Sequence, residues 1–575
     1  MRDRARVDRW CVLWSLLLAV LLLGPALGHG FVLSYDMVWV PDLALNRDAL
    51  GLASGLPRAV PSDALVATLD EVVPGMLLQK LVLLGALAAG GVGASRLVPA
   101  RLPLAARLAV VGVFQWNAFV VERLLIGHWP VLVGYALLPW ILLLATRWRE
   151  SGRLPLALPL LLPLASLSAS AGLVSAVALL AGGWGTARRR LLLVLVACAN
   201  APWLVAGLAH AARAATDPDG ARVFALHDEG SLPGPLAALS LGGIWNSQVV
   251  PDSRTGALGW ATLLVVLGVA AVGARPWWRA TAPRARATLL ICWAVGWGSA
   301  VLTWLAPAAV GWLGEHVPGA GVIRDGARLL GLCAPLLVVL IGYGVTTLVQ
   351  RLAMTRAAAA GTLVAAALLP VALLPDAAWG ASGRLRPADY PDLWARARTV
   401  LAERDPEGDV LVLPLTSFRA PRWNHDRPVF DPLGRYLGRP YVASDVLAVD
   451  DTVLDGEDPR VDEVAAALRA ETPELRRTAL LHAGITAVVI DYAAIEQTGA
   501  GAVSRIEGET LLVTTDIHVV ALPEPTASVG PADTAGVGTR VAVGAAWAAY
   551  LALPGLTLLV VARRRRRRCY AGGSP

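Results

Sequence analysis

Leu551-Ala-Leu-Pro-Gly-Leu-Thr-Leu-Leu-Val-Val-Ala562 is followed directly by Arg563-Arg-Arg-Arg-Arg-Arg568, and this junction indicates the class of fold. The apolar part belongs to a stretch, 541–562, that is long enough to cross a hydrocarbon core of about 30 Å. Clustered arginines next to a span stay on the cytoplasmic side, because moving them across a bilayer is costly. The sequence therefore predicts a final membrane helix followed by a basic cytoplasmic tail, 563–575.

The composition of the whole chain agrees with a membrane protein. Of its 575 residues, 56% are hydrophobic and only 16% are charged, whereas soluble proteins carry about 25% charged residues. The formal net charge of +7 is nearly all arginine, and we expect membrane lipids but no nucleic acid among the partners.

Apolar stretches of spanning length recur along the chain and predict a polytopic α-helical membrane protein with about 12 transmembrane helices. With the N-terminus inside, the arginine clusters fall in the inside loops, so both termini are expected to be cytoplasmic in the plasma membrane. The predicted spans lie near 11–28, 75–95, 105–121, 130–146, 154–169, 172–186, 191–212, 257–274, 287–306, 329–349, 358–375 and 541–562.

Two features of these spans leave alternatives open. The pair 154–169 and 172–186 contains three prolines and a serine-rich run, which also fits broken or re-entrant helices. The first span has the basic start of a signal peptide and small residues at Ala26 and Gly28, but its long apolar run favours a retained anchor. Cleavage there would leave the remaining topology unchanged.

The predicted spans divide the chain into a transmembrane part with external loops and a separate domain outside the membrane. Residues 1–375 form the transmembrane part, with external loops at about 29–74, 122–129, 213–256 and 307–328. Residues 376–540 are predicted to be a small extracytoplasmic α/β domain, because strands at 409–414 and 486–491 alternate with helices at 389–404, 460–470 and 474–483. Residues 523–540 are rich in proline and glycine, which is typical of a linker.

Cysteine and histidine indicate little chemistry. The five cysteines lie in predicted spans or on the cytoplasmic side, so no disulfide framework is expected. The eight histidines have no zinc-site spacing, and no metal site is predicted from them.

The first external loop carries two carboxylates in an apolar, aromatic setting: His29-Gly-Phe-Val-Leu-Ser-Tyr35-Asp36-Met-Val-Trp-Val-Pro-Asp42. In such a partly desolvated site the pKa of a carboxylate is expected to be raised, which suits a general base that takes a proton from a hydroxyl group. Asp36, beside the membrane and next to Tyr35, is the stronger candidate. The alternative is that both acids belong to an ordinary exposed loop.

Two further polar groups are expected at the outer ends of spans. Glu122, Arg123 and His128 lie between two spans, where a simple charge pair and a structural histidine are the alternatives. Arg324, Asp325 and Arg328 precede the span at 329–349. If the helix has begun there, the two arginines share a face and can hold a phosphate; snorkelling to lipid headgroups is equally compatible.

These features together resemble the GT-C superfamily of integral membrane glycosyltransferases: a basic start, an acid-bearing first external loop, a polar second one, many spans and an extracytoplasmic domain. The resemblance is to actinobacterial mannosyl- and arabinofuranosyltransferases of the cell envelope. More loosely, Leu480-Leu-His-Ala-Gly-Ile-Thr-Ala-Val-Val-Ile490 resembles an element of YfhO-like membrane proteins.

The resemblance implies transfer of a sugar from a polyprenyl-phosphate donor to a cell-envelope glycan or glycolipid acceptor on the outer face. It implies that Asp36 is catalytic, with Asp42 as the alternative and Glu122 as a second acidic position. The first loop has no DxD pair, which argues against a requirement for a metal. No cofactor is therefore assigned, and a divalent cation is left open as the alternative. The substrate-binding residues implied are Tyr35, Arg123, His128, Arg324, Asp325 and Arg328.

A polar and aromatic loop of the outer domain is expected to hold the acceptor, with simple packing as the alternative. A lipid or solute transporter and a non-catalytic envelope-assembly scaffold stay open as other functions. Ionisable residues are sparse inside the predicted spans, which argues against the transporter. The loop residues are Trp423, Asn424, His425, Asp426, Asp431 and Tyr436.

Overall fold

A computed structural model shows a mostly helical protein with one larger β-sheet. It describes residues 2–53, 57–210, 219–317, 319–352, 355–404, 408–449, 452–454, 456, 458–499, 505–522 and 535–571. Most of the predicted linker, at 523–534, lies outside the described residues.

The predicted polytopic helical fold is confirmed. Within the described ranges, nine helices are long and apolar enough to cross a membrane, and a bent pair, Ala357–Leu373 with Pro375–Gly383 at 77°, makes a tenth if counted as one span. The nine are Val7–Leu27, Gly75–Leu97, Leu104–Leu125, Trp129–Ser151, Arg189–His210, Ala257–Ala280, Pro283–Leu305, Gly326–Leu352 and Val537–Val560. Each of the ten overlaps a predicted span.

The pair predicted at 154–186 consists of two short helices, Ala157–Leu164 and Ala169–Gly183. At 1.5 Å per residue neither reaches the thickness of a bilayer core. Three prolines interrupt this region, and Ser168 caps the second helix by accepting from the backbone N–H of Ala171 at 3.3 Å. The region therefore fits the alternative of broken helices. Among the described residues, nine or ten helices are long and apolar enough to span, fewer than the expected number of about twelve.

The span at 104–125 is itself two helices, Leu104–Gln115 and Ala118–Leu125. Asn117 restarts the helix, because its side-chain oxygen accepts from the N–H of Val120 at 3.0 Å. Residues 122–125, which the sequence placed in an external loop, thus belong to a buried helix.

The remaining helices are short or lie near the sheet. The α-helices are Arg47–Leu50, Ser62–Leu69, Gly220–Val223, Gly234–Leu239, Asp252–Thr255, Pro307–His316, Asp392–Arg404, Leu433–Tyr436, Pro459–Leu468, Pro473–His482 and Tyr492–Thr498. The 3-10 helices are Gly24–Leu27, Ser247–Val249, Ala320–Ile323, Gly326–Cys333, Pro375–Ala377 and Arg422–Asn424.

A mixed five-stranded sheet forms the core of the C-terminal α/β part, as predicted. The two buried central strands are parallel, with Val412 opposite Val489. Successive residues of the strand Asp409–Leu413 face opposite sides of the sheet. Leu411 belongs to the same apolar cluster as Val464 on one side, and Val412 to the same cluster as Trp394 on the other. The strand order is Glu509–Val513, Ile517–Ala521, Ile485–Asp491, Asp409–Leu413 and Tyr441–Val442.

Three small antiparallel pairs complete the β-structure. Phe31–Val32 pairs with Pro387–Ala388, Phe418–Arg419 with Val429–Phe430, and Leu447–Val449 with Thr452–Leu454. The pair of Phe31–Val32 with Pro387–Ala388 joins the beginning of the first loop to the segment that precedes the five-stranded sheet. The first loop therefore lies between the membrane helices and the sheet.

Candidate functional site

A cavity of about 1010 Å³ lies between the membrane helices and the sheet. Four parts of the chain form most of its wall: the first loop, the turn at 126–131, the segment at 314–328 and the sheet-side residues 417–449. Asp36 is in this wall, and its side chain is 49% exposed to the cavity. A carboxylate deep within the protein is thus accessible to a bound molecule.

Asp36 lies on a tight turn, 34–37, that is held from two sides. Tyr35 adopts a left-handed backbone conformation, with φ 46°, which is uncommon for a residue other than glycine. Its N–H donates to the carbonyl of Pro428 at 2.7 Å on the sheet side. The N–H of Asp36 donates to the carbonyl of Ile126 at 3.1 Å on the helix side. Both parts of the protein therefore fix the position of the carboxylate.

Gly127 permits the close approach of this turn to the helical side. It has φ +86°, and a Cβ atom added to it would lie 2.1 Å from the backbone nitrogen of Met37 and 2.4 Å from the carbonyl oxygen of Ser34. These neighbours are backbone atoms and cannot move aside by changing a rotamer.

We expect Gly127→Ala to displace the turn that carries Asp36 and to reduce the activity of the site strongly. Gly93→Ala is a control, because the clash there is with the side chain of Trp140 rather than with backbone. A thermal unfolding curve in detergent separates displacement from unfolding. Full activity of a folded Gly127→Ala protein would show that the placement of Asp36 does not matter.

A chain of polar contacts runs from Asp36 into the protein. His128 Nε2 lies 3.1 Å from Asp36 Oδ2, and His128 Nδ1 lies 3.0 Å from Arg123 Nη1. Arg123 Nη1 lies 3.8 Å from Asp325 Oδ2, which accepts from Arg328 Nε at 2.7 Å. The structure therefore brings together five of the predicted site residues from three separate segments.

The arginine fixes the tautomer of His128. Since a guanidinium only donates, Nδ1 must accept, which leaves the proton on Nε2 to be donated to Asp36. Burial lowers the pKa of His128, so the imidazole is neutral at neutral pH. His128 is thus a fixed hydrogen-bond donor to the carboxylate.

The expected rise in the pKa of Asp36 was wrong. Burial alone would raise it, but the hydrogen bond from His128 and the positive charges of Arg328 and Arg58 outweigh burial and hold the pKa below its usual value. The pKa of Asp325 is lowered in the same way, since Arg328 and Arg123 outweigh the burial of its carboxyl. Asp36 is therefore ionised at neutral pH.

Tyr35 and Arg324, which the sequence also singled out, line the cavity too. The hydroxyl of Tyr35 donates to Gln248 Oε1 at 2.5 Å, and the guanidinium of Arg324 lies 4.9 Å from the centre of the Phe224 ring. Arg324 and Arg328 both line the cavity. They do not share a face of one helix, because Asp325 separates two 3-10 helices.

Two of the three catalytic candidates lie outside the cavity wall. Asp42 is 55% exposed and forms an ion pair with Arg398. Glu122 is buried, and its carboxyl lies against that of Glu229, which is bound by Arg254 at 2.6 Å.

The loop expected to hold an acceptor is used for packing instead. Tyr436 and Trp423 belong to an aromatic cluster around Tyr390, and Asp431 forms an ion pair with buried Arg419 at 3.1 Å. Asn424 is also buried, and the exposed His425 contacts the carbonyl of Pro387. None of the six residues, Asp426 included, is in the cavity wall.

Sequence reasoning missed the residues that the sheet side does contribute. Arg435 forms an ion pair with Asp63 of the first loop at 2.8 Å, and Phe418 and Phe430 also line the cavity. The run Arg435-Tyr-Leu-Gly-Arg-Pro-Tyr441 was the available signal, because it holds two arginines beside the expected loop. Its pairing with the first loop is a long-range contact that no local pattern encodes.

In the described parts of the chain, no three or more His, Cys, Asp or Glu side chains come together as a set that could hold a metal ion. The residues around Asp36 do not fit such a group.

Comparison with known proteins shows what this fold is similar to. No protein-family model matches the chain, and no curated protein matches it. Among solved structures, the arabinofuranosyltransferase AftD from Mycobacteria is 18% identical with a TM-score of 0.50, over 90% of this chain and 40% of that one. A mutant form of AftD is also 18% identical, with a TM-score of 0.51 over 90% and 42%.

The archaeal oligosaccharyltransferase AglB from Archaeoglobus fulgidus is more distant, at 13% identity and a TM-score of 0.35 over 85% of this chain and 71% of that one. The likeness to AftD shows the fold: this chain is folded like the part of that arabinofuranosyltransferase that it matches. This chain spans about two fifths of the length of the AftD structures.

Proposed function

We propose that this chain is a membrane glycosyltransferase that moves a sugar from a polyprenyl-phosphate donor to a cell-envelope glycan or glycolipid acceptor. The observation that carries the proposal is Asp36: an ionised carboxylate, open to a large cavity beside the membrane helices and oriented by His128. The similarity of the fold to AftD supports the class of reaction.

In this mechanism Asp36 takes the proton of the acceptor hydroxyl. The acceptor oxygen forms a bond to the anomeric carbon of the donor, while the bond from that carbon to the phosphate oxygen breaks and its electron pair leaves with the phosphate. The products are the glycosylated acceptor and polyprenyl phosphate. Because the pKa of Asp36 is low, its carboxylate is a weak base, but it is ionised and able to accept a proton at neutral pH. Orientation of the acceptor hydroxyl by this carboxylate therefore supplies much of the rate acceleration.

The leaving phosphate is assigned to Arg324 and Arg328. Both line the cavity, and Arg328 is oriented by its bond to Asp325. Guanidinium groups bind phosphate oxygens with two parallel hydrogen bonds, and they stabilise the negative charge that stays on the phosphate.

The cavity is proposed to face the outside of the plasma membrane. The arginine-rich ends of the spans, such as those at Arg96, Arg147 and Arg351, are the ends remote from the cavity residues. Exposed Trp184 and Trp278 lie at these basic ends, each with an arginine over its ring. This pattern is typical of the cytoplasmic interface.

The proposal is tested with purified protein in nanodiscs, incubated with a panel of polyprenyl-phosphate sugars and octyl-linked oligosaccharide acceptors. We expect one donor to be consumed, with polyprenyl phosphate and an extended oligosaccharide formed in equal amounts. Protein that is folded but leaves every donor unchanged would favour a scaffold. Movement of a lipid across the bilayer without a new glycosidic bond would favour a transporter.

His128 gives a separate expectation about pH. Replacing it with leucine removes the hydrogen bond that lowers the pKa of Asp36, so this pKa should rise. As the pH falls, Asp36 is then protonated sooner, and the acid limb of the pH–rate profile moves to higher pH. His128→Gln keeps an N–H donor and should restore most of the wild-type profile. An unchanged acid limb in His128→Leu would contradict the assigned role.

A further inference from the structure

Three aromatic rings line the cavity next to Asp36. The ring of Tyr35 lies 6.3 Å from that of Phe418, and Phe418 lies 5.5 Å from Phe430, centre to centre. The rings are inclined by 54° and 80° to one another. They form a curved apolar wall, which we call the aromatic wall, rather than a flat platform.

The aromatic wall is held rigidly. Phe418 and Phe430 are opposite each other in a short antiparallel pair, and the N–H of Phe430 donates to the carbonyl of Tyr35 at 2.9 Å. The next residue, Arg419, is buried and bound to Asp491 at 2.8 Å. The rings are therefore in place before a ligand arrives, which lowers the entropic cost of binding.

Polar side chains line the same cavity as the aromatic wall. Gln248 accepts from the hydroxyl of Tyr35, and Asn246, Arg58 and Asp445 line the same cavity. A sugar ring has apolar C–H faces that pack on an aromatic ring and hydroxyl groups at its edge that need hydrogen-bond partners. A cavity that has both an aromatic wall and polar side chains satisfies both needs.

We propose that Tyr35, Phe418 and Phe430 form the acceptor subsite, which takes a neutral oligosaccharide whose successive sugars pack along the curved wall. The terminal sugar then presents a hydroxyl to Asp36, which adjoins Tyr35 in the chain. This inference rests on the proposed function. It assigns the acceptor to Tyr35, Phe418 and Phe430, and not to the six residues between 423 and 436 that were expected from the sequence.

The test compares Phe418→Leu and Phe430→Leu with the wild type, in nanodiscs, with the polyprenyl-phosphate sugar that the wild type consumes and an octyl-linked disaccharide. Leucine keeps an apolar side chain but removes the ring face. We expect the KM for the disaccharide to rise about 5- to 10-fold for each variant. The KM for the donor should be unchanged.

Phe224→Leu is the matched control, because Phe224 also lines the cavity but lies under Arg324 at the proposed phosphate end. It should change the KM for the donor and not that for the disaccharide. An equal rise in the disaccharide KM in all three variants would show a general loss of cavity shape and overturn the subsite. Unchanged disaccharide KM values in Phe418→Leu and Phe430→Leu would overturn it while leaving the glycosyltransferase intact. Only a wild type that consumes no donor contradicts the proposed function itself.

Discussion

Asp36→Asn is expected to lower the rate of sugar transfer by about 10²–10⁴-fold, the usual contribution of a positioned general base. Asparagine has nearly the same shape as aspartate and keeps an oxygen that accepts from His128, so the turn at 34–37 should be retained. What is lost is the negative charge that receives the proton of the acceptor. The measurement is the initial rate of polyprenyl phosphate release at saturating donor and acceptor.

Asp42→Asn is a matched control for this experiment. It makes the same chemical change six residues further along the same loop, where the carboxylate pairs with Arg398 on an exposed surface. We expect it to keep most of the activity, since exposed ion pairs contribute about 0–1 kcal/mol. A large loss in Asp42→Asn together with an active Asp36→Asn would transfer the role of base to Asp42.

Arg254→Met is expected to destabilise the protein by about 3–5 kcal/mol, the usual cost of removing one partner from a buried ion pair. Arg254 is buried with Glu229: its Nε and Nη2 lie 2.7 and 2.6 Å from one carboxylate oxygen. Glu122 lies against the same carboxyl. Without Arg254 these carboxyl groups lose their shared cation. The measurement is the thermal unfolding temperature in detergent, with tryptophan fluorescence as the signal.

Two variants control for this effect. Arg222→Met removes the same side chain from an exposed pair with Asp219 and should change the stability little. Adding Glu229→Gln to Arg254→Met removes the carboxylate that has lost its cation and should restore part of the loss. If Arg254→Met unfolded at the wild-type temperature, the buried pair would not be a determinant of this fold.

The membrane part of the fold was largely predictable from the sequence, because hydrophobicity over about 20 residues is a local property. All ten candidate spans overlap predicted ones. The errors lie where local signals conflict. Between 154 and 186 the composition is apolar enough for two spans, but prolines and a capping serine divide it into helices too short to cross.

The site was predictable in part. Asp36, His128 and Asp325 were selected because each is a polar residue at an apolar boundary, and such positions gather at one end of the spans. Their hydrogen-bond chain was not predictable, since it depends on Arg123 being buried behind His128. The lowered pKa of Asp36 was not predictable either, because it depends on the approach of His128, Arg328 and Arg58 from other segments. The aromatic wall was missed because Phe418 and Phe430 look like ordinary strand residues until Tyr35 is placed beside them.

The attachment of the turn at 34–37 to both sides of the protein has a consequence for biogenesis. A growing chain that has inserted its first four spans already contains Asp36, Gly127 and His128, but it has not yet made Pro428 or Phe430, whose backbone holds Tyr35. The carboxylate acquires its final position only after some 400 residues have been synthesised and the sheet has docked. An incompletely assembled copy therefore lacks the placement of Asp36 on which the proposed activity depends.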